Sequence, residues 1–321
     1  MSTVPAIENL RSRGRFRDWL GDRLLVIVTA TASIVAVVVM GAIVWKVVDA
    51  SHLAFSKFGI AFLWGTVWDA NKGIFGALPG LYGTVVTSLI ALIVAVPFSI
   101  AIALFLSELA PRGARGVIGA LVETLAAIPS VVLGLWGILV MGPFVAEHIE
   151  PWLHRTLGFI PLFSGSPQSS GVFIAGLVLA IMVVPIVASI CRELFLSVPH
   201  DIEEGALALG ATRWEMVRGV ILSSSRPGIA AAVILGLGRA IGEAIAVTQV
   251  IGGLLGIHIS LFQSGDTLAS RIAAQYQGAA TEIQVASLVY LALILLVISL
   301  ITNFAAQLIV RRFEFQRVGA D

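Results

Sequence analysis

Six long apolar stretches, separated by shorter polar connections, dominate the chain: Leu24 to Val48, Leu81 to Leu106, Val117 to Met141, Val172 to Cys191, Ile229 to Leu255 and Val285 to Val310. At about 1.5 Å of rise per residue, each is long enough to cross a hydrocarbon core of about 30 Å. Lipid offers the backbone no hydrogen-bonding partner, so helices must satisfy it internally. The pattern therefore predicts an all-α integral membrane protein with six transmembrane helices. Basic residues precede the first stretch, but its apolar run exceeds the about 7 to 15 residues of a signal-peptide core, which predicts a retained helix. The expected layout is a cytoplasmic segment at 1–23, a first span at 24–48, an extracytoplasmic loop at 49–80, five further spans within 81–310, and a cytoplasmic tail at 311–321. Pro97, Pro129 and Pro185 fall inside expected spans, where neighbouring helices can satisfy the freed carbonyls.

The connections alternate in charge. Arg11, Arg13, Arg15, Arg17 and Arg23 precede the first span, and Arg112 and Arg115 separate the second from the third. Arg192, Arg213, Arg218 and Arg226 separate the fourth from the fifth, while Arg311, Arg312 and Arg317 follow the sixth. Basic residues near span ends stay on the cytoplasmic side, so both termini are expected there. The intervening connections, 52–80 and 142–171, are not strongly basic, and 163–171 is rich in turn formers.

The segment 199–227 is too polar to span, yet its pattern predicts two short helices. Asp201 with Glu204 and Thr212 with Glu215 have the spacing of capping boxes, and Gly210 can stop a helix in a left-handed conformation. Ile202, Ala206 and Leu209 share one face, and Trp214, Val217 and Ile221 share another. An apolar stripe on such a helix either lies on lipid, packs on its own bundle, or docks into a groove on a partner.

Composition agrees with lipid as solvent: 58% of the 321 residues are hydrophobic and 12% charged, against about 25% charged in soluble domains. A net charge of +1 argues against a nucleic-acid binder. The one cysteine, Cys191, lies in an apolar run and supports no redox chemistry.

The run Glu204-Gly-Ala-Leu-Ala-Leu-Gly210-Ala-Thr-Arg-Trp214 resembles the EAA signature of ABC-importer permeases, whose cytoplasmic coupling helix seats in a cleft of the ATPase. Gly205 stands at the usual first alanine, and Ser223 where the family often has proline. The resemblance extends from about Tyr82 to Val310 through Gly83-Thr-Val-Val-Thr-Ser88, Phe105-Leu-Ser-Glu-Leu109, Ala126-Ala-Ile-Pro-Ser-Val-Val132 and Gly236-Leu-Gly-Arg-Ala-Ile-Gly-Glu243. It narrows to phosphate-specific importer permeases. With Leu162-Phe-Ser-Gly-Ser-Pro167 and Cys191-Arg-Glu-Leu-Phe195, the chain is similar to the first, PstC-like, of that system's two paired permeases. The resemblance implies a type I importer core with an extra N-terminal helix, in a bacterial plasma (inner) membrane. It implies ATPase coupling through Glu204, Ala206, Gly210, Ala211 and Trp214. The implied partners are a second homologous permease (PstA-like), an ATPase dimer (PstB-like) carrying ATP and Mg, and an extracytoplasmic phosphate-binding protein (PstS-like).

Charges at membrane depth are costly and mark a pathway or a pairing. Counted from Gly228, Arg239 and Glu243 lie about 16 Å and 22 Å along the helix axis, near the bilayer middle. Four residues apart, they can form a buried salt bridge that fixes packing or meet a ligand together. Arginine's planar fork suits a tetrahedral oxyanion. Glu243 can accept the proton of hydrogen phosphate, which sulfate lacks, and so reject the wrong anion. Glu123, Ser130, Thr248 and Gln249 can line the passage or, equally, snorkel or bond their own helices. Gly236, Gly238 and Gly242 have the wrong spacing for a dinucleotide fingerprint and suit close helix packing or movement.

No stretch matches G-x-x-x-x-G-K-[ST], and neither H-E-x-x-H nor G-x-S-x-G occurs, so energy is expected from another chain and no metal site or catalytic residue is expected here. The reading is a phosphate permease working by alternating access. Its alternatives are a permease for sulfate or molybdate, a polytopic enzyme with Glu243 as acid–base group, or a scaffold whose loop recruits a cytoplasmic protein.

Overall fold

The structure, a computed structural model, describes residues 5–318. The side chains of residues 5–18, Leu20, Arg112 and residues 309–318 lie outside the description, and with them Arg11, Arg13, Arg15, Arg17, Arg112, Arg311, Arg312 and Arg317 of the orientation pattern. Residues up to Ala50 and residues from Ser51 onward form two compact units. The first lies within one helix, α1 (Pro5–Phe58), apolar around its circumference from Leu24 to Trp45.

The second unit begins with the end of α1 and a 3₁₀ turn, Gly59–Leu63, entered through Gly59 at φ +56°. Then follow α2 (Leu78–Leu109), α3 (Arg112–Ala127), α4 (Ser130–Leu157), α5 (Val172–Leu196), α6 (His200–Ala208), α7 (Arg213–Gly242), α8 (Ile245–Val250), α9 (Leu268–Gln275) and α10 (Glu282–Val318). Among the described residues, six helices are long and apolar enough to cross a membrane: α1, α2, α4, α5, α7 and α10.

The centre of the bundle is α5, packed on α2 and α7. Ile174, Ala175, Val178, Leu179, Val183 and Val187 are at most 1% exposed, because this helix is apolar on every side. Small residues on α2, including Ala91 and Ala95, bring the two backbones close, and the Ser99 hydroxyl lies 3.1 Å from the Val184 carbonyl of α5. A second apolar cluster joins the end of α1 to α10, with Phe62 stacked on Tyr290 at 4.7 Å. The connections 59–77, 158–171 and 251–281 gather at one end of the bundle, tied by Trp68 to Gln275 and by Leu162 to Leu261. The α2–α3 turn and 197–212 lie at the other end.

Five expectations need correction. The loop expected at 49–80 begins later, because the helix continues to Phe58 and stops only at Gly59, where φ +56° is a left-handed conformation that glycine adopts freely. The third span is not 117–141: Ile128 turns extended (ψ 127°) before Pro129, and the span is Ser130–Leu157. Proline has no N–H to donate and disfavours helical geometry in the residue before it, so Pro129 separates two helices instead of kinking one. The fifth span is Arg213–Gly242 and not 229–255, since Glu243 is extended (ψ 119°) and α8 starts a new, short helix. Lastly, the second short helix expected after Gly210 is the first turn of α7. The Thr212–Glu215 capping box forms there, with Glu215 N–H donating to Thr212 Oγ1 at 3.3 Å and Thr212 N–H to Glu215 Oε2 at 2.8 Å. The box expected at Asp201–Glu204 does not form, because α6 starts at His200 behind Pro199 and places Asp201 inside its first turn.

Candidate functional site: two charged pairs and an exposed turn

Where α7 ends, Gly242 gives way to the extended Glu243. The glutamate's carboxylate does two things. Its Oε1 accepts from the N–H of Ala246 at 3.2 Å, closing the open start of α8, and its Oε2 lies 3.2 Å from Arg239 Nη2. Glu243's side chain is 6% exposed and Arg239's 46%. The arginine borders a cavity of about 220 Å³ whose other walls are Leu125, Ala126, Ile128, Leu133, Met182 and Ile186. Its walls come from the end of α3, the start of α4 and the middle of α5, so the space lies beside the α3–α4 break. At roughly 30 Å³ per water it has room for several molecules, and Arg239 is the charged group on its wall.

The remaining expected pathway residues divide. Ser130 is the first residue of α4, just after the same break, and is half-buried. Thr248 donates to the Ala244 carbonyl at 2.6 Å and lies 3.3 Å from the Ser270 carbonyl, so it joins α8 to α9. Glu123 sits on exposed α3, ahead of the Ser130–Leu157 helix, and lies 3.9 Å from Arg192 Nη1. It is not brought to Arg239. Gln249 is half-buried, and its Oε1 has no hydrogen-bond partner among the described residues. Gly134 lets α4 approach α8 there: a Cβ at this position would meet Ala246 Cα at 2.9 Å. Gly236 likewise faces Val183 and Val187, whereas Gly238 and Gly242 face open space.

Sequence reasoning passed over a second pair. Arg271 on α9 is 2% exposed, and its Nε donates to Asp266 Oδ2 at 2.7 Å. Asp266 Oδ1 also accepts from Thr267 N–H at 2.8 Å and from the Ser270 hydroxyl at 2.5 Å. A signal was present, since between Ala244 and Thr281 these two are the only Asp, Glu, Lys or Arg residues. Glu150, fully buried, accepts from Gln168 N–H at 2.9 Å and pins the 158–171 connection.

At the opposite end, α6 closes on Gly210 at φ +88°, with Ala211 N–H donating to Ala206 O at 3.2 Å and Gly210 N–H to Leu207 O at 3.0 Å. The turn presents Leu209, 91% exposed, and Trp214, 64% exposed, beside exposed Glu204. His200 lies 3.1 Å from the buried Glu203 carboxylate, whose hydrogen bond and charge raise the imidazole pKa.

Residues 73–315 match the family described as binding-protein-dependent transport system inner membrane component. The chain is 41% identical over 279 residues to the phosphate transport system permease protein PstC of Pasteurella multocida, covering 86% of this chain and 87% of that one. It is 39% identical over 321 residues to PstC of Mesorhizobium japonicum, covering 99% and 98%. In fold it resembles a chain of a bacterial alginate ABC transporter crystallised with its alginate-bound periplasmic protein, with a TM-score of 0.57, 18% identity, and coverage of 94% of this chain and 96% of that one. By both the domain and the near-full-length identity, the chain belongs to the binding-protein-dependent transport system inner membrane components and, among them, to the PstC phosphate transport system permeases.

Proposed function

We propose that this chain is the transmembrane permease subunit of an ATP-driven importer of inorganic phosphate, working by alternating access. The observation that carries the reading is the Arg239–Glu243 pair: a half-exposed guanidinium facing a mid-bundle cavity, backed by a buried carboxylate. A guanidinium offers a tetrahedral oxyanion two parallel hydrogen bonds. Glu243 neutralises Arg239 between ions and accepts the proton that hydrogen phosphate has and sulfate lacks. Kinship with PstC permeases favours phosphate over sulfate or molybdate.

The chain is a multi-pass membrane transport subunit and not an enzyme. In this reading it sits in a bacterial plasma (inner) membrane with both termini cytoplasmic, so the α6–α7 turn faces the cytoplasm. There Leu209 and Trp214, apolar and exposed, dock in a PstB-like ATPase dimer that binds ATP and Mg²⁺. Because α7 runs continuously from that turn to Gly242, movement of the turn reaches Arg239 along one helix. A PstA-like second permease completes the passage, and a PstS-like binding protein delivers phosphate to the opposite end.

The test is uptake of labelled phosphate by vesicles containing the assembled complex, with and without excess sulfate. Wild type takes up phosphate in the presence of sulfate, and Arg239→Gln, still assembled, does not. Unchanged uptake by the variant reduces Arg239 to a packing residue.

A further inference from the structure

Arg271 is buried, and most of its donors are unused. Of its three guanidinium nitrogens, Nε donates to Asp266 at 2.7 Å, while Nη1 and Nη2 reach no acceptor among the described residues although both are shielded from solvent. Buried polar groups are ordinarily bonded, and two orphaned nitrogens on one charged group call for a physical cause. The guanidinium carbon lies 5.0 Å over the ring of Trp68, a contact that holds the plane without using a donor. Trp68 is held in turn by Gln275, which accepts its indole N–H at 2.8 Å. Trp68 and Gln275 also line a groove of about 650 Å³ at this end of the bundle, together with Thr66, Asp69, Asn71 and Gln284. The indole thus both lines the groove and lies against the Arg271 guanidinium.

We propose that Arg271 is a second anion-contacting residue, a station for a tetrahedral inorganic oxyanion at the groove end of the bundle, reached when the Trp68 ring turns aside. Nη1 and Nη2 form the two-pronged edge that an oxyanion takes in parallel hydrogen bonds. Asp266 keeps the site neutral when no anion is there, as Glu243 does for Arg239. The two pairs are linked: Ser270, whose hydroxyl meets Asp266 Oδ1, places its carbonyl 3.3 Å from Thr248 Oγ1 on α8, the helix that Glu243 caps. An anion that draws Arg271 away from Asp266 therefore pulls on the element that holds Glu243.

This inference rests on the phosphate-import reading, and two experiments separate its failure from that of the reading. Crystals of the assembled wild-type transporter soaked in arsenate, measured at the arsenic absorption edge, are expected to show an anomalous peak within hydrogen-bond distance of Nη1 and Nη2. Phosphate uptake in vesicles is expected to fall about tenfold or more in Arg271→Gln, the effect of losing one charge-assisted hydrogen bond, and to fall less in Arg271→Lys. If wild type imports phosphate while the crystals show only a water or a neighbouring subunit's carboxylate at Arg271, the inference is overturned and the reading stands. Uptake that Arg271→Gln leaves intact overturns it equally. Absence of phosphate uptake by the assembled wild type overturns the reading itself. The arsenate measurement uses no variant, so misfolding of Arg271→Gln does not shield the proposal.

Discussion

Arg239 and Glu243 stand 3.2 Å apart, but one side chain is 46% exposed and the other 6%. The asymmetry assigns the roles. Glu243 is fixed from two sides, by Arg239 and by the Ala246 N–H, while the guanidinium retains donors facing the cavity at the α3–α4 break. A pair that only tied helices together would have little reason to leave its cation half open.

Glu243→Gln preserves an acceptor for Ala246 N–H and removes the negative charge. Arg239 then faces the cavity as an uncompensated cation, attractive to any oxyanion. Sulfate is expected to inhibit labelled-phosphate uptake by the variant, with preference for phosphate reduced about tenfold, the effect of one hydrogen bond to a charged group. An unchanged preference with a slower rate would leave Glu243 as a counter-ion for Arg239 and remove it from selectivity.

The spans, the Arg239–Glu243 pair and the glycine turn at Gly210 are legible in the sequence because each rests on local chemistry: apolar run length, i to i+4 spacing, and φ > 0 at a helix end. The breaks at Pro129 and Glu243 are not legible in run length, because hydropathy runs through both, although at Pro129 the residue type itself carries a local signal. A span starting at Val117 takes Glu123 into the membrane, whereas the helix that starts at Ser130 leaves it on α3, 3.9 Å from Arg192. Asp266–Arg271 lay in a segment that reads as a loop, and its burial depends on Trp68, about 200 residues away in sequence.

Gly134 is a contact between α4 and α8. A side chain there meets the backbone of Ala246 at 2.9 Å, which cannot rotate away. Gly134→Val is expected to lower the stability of the purified complex by about 1–3 kcal/mol, the usual cost of overpacking, read from thermal unfolding followed by tryptophan fluorescence. Gly238→Ala meets nothing within 4 Å and lies in a helix, so it is expected to leave stability unchanged or raise it by about 0.5–1 kcal/mol. Equal loss in both variants would show that helix proximity at Gly134 is not what matters.

Gly210 holds φ +88°, a conformation that costs a residue with a Cβ about 1–2 kcal/mol. Gly210→Ala is expected to loosen the α6–α7 turn by that amount, and Thr212→Ala, which loses the capping box, by about 1 kcal/mol. Hydrogen exchange of the amides from Ala206 to Glu215 measures both changes directly, with exchange faster by about tenfold per 1.4 kcal/mol. In the assembled complex the expected companion effect is ATP hydrolysis that persists while phosphate uptake falls. Unchanged exchange in Gly210→Ala would mean that the turn has a second conformation of similar energy.

His200 gives the start of α6 a dependence on pH. Its pKa is raised from 6.5, first by the hydrogen bond to Glu203 and then by that carboxylate's charge, with Glu108 and Glu204 acting in the same direction. A group whose pKa is higher in the folded state contributes stability in its protonated form. That contribution is complete below the unfolded pKa of about 6.5 and is lost as pH rises through the folded value. The attachment of α6 to the bundle is therefore expected to be firmer at pH 6 than at pH 8, while the Thr212–Glu215 cap, a carboxylate ionised throughout this window, stays constant. Hydrogen exchange along Ile202 to Ala208 at the two pH values, corrected for intrinsic rates, should show more opening at pH 8 in wild type. In His200→Gln, whose amide still reaches Glu203 without a titrating proton, the difference should vanish. Persistence of the full pH difference in the variant would assign it to another group.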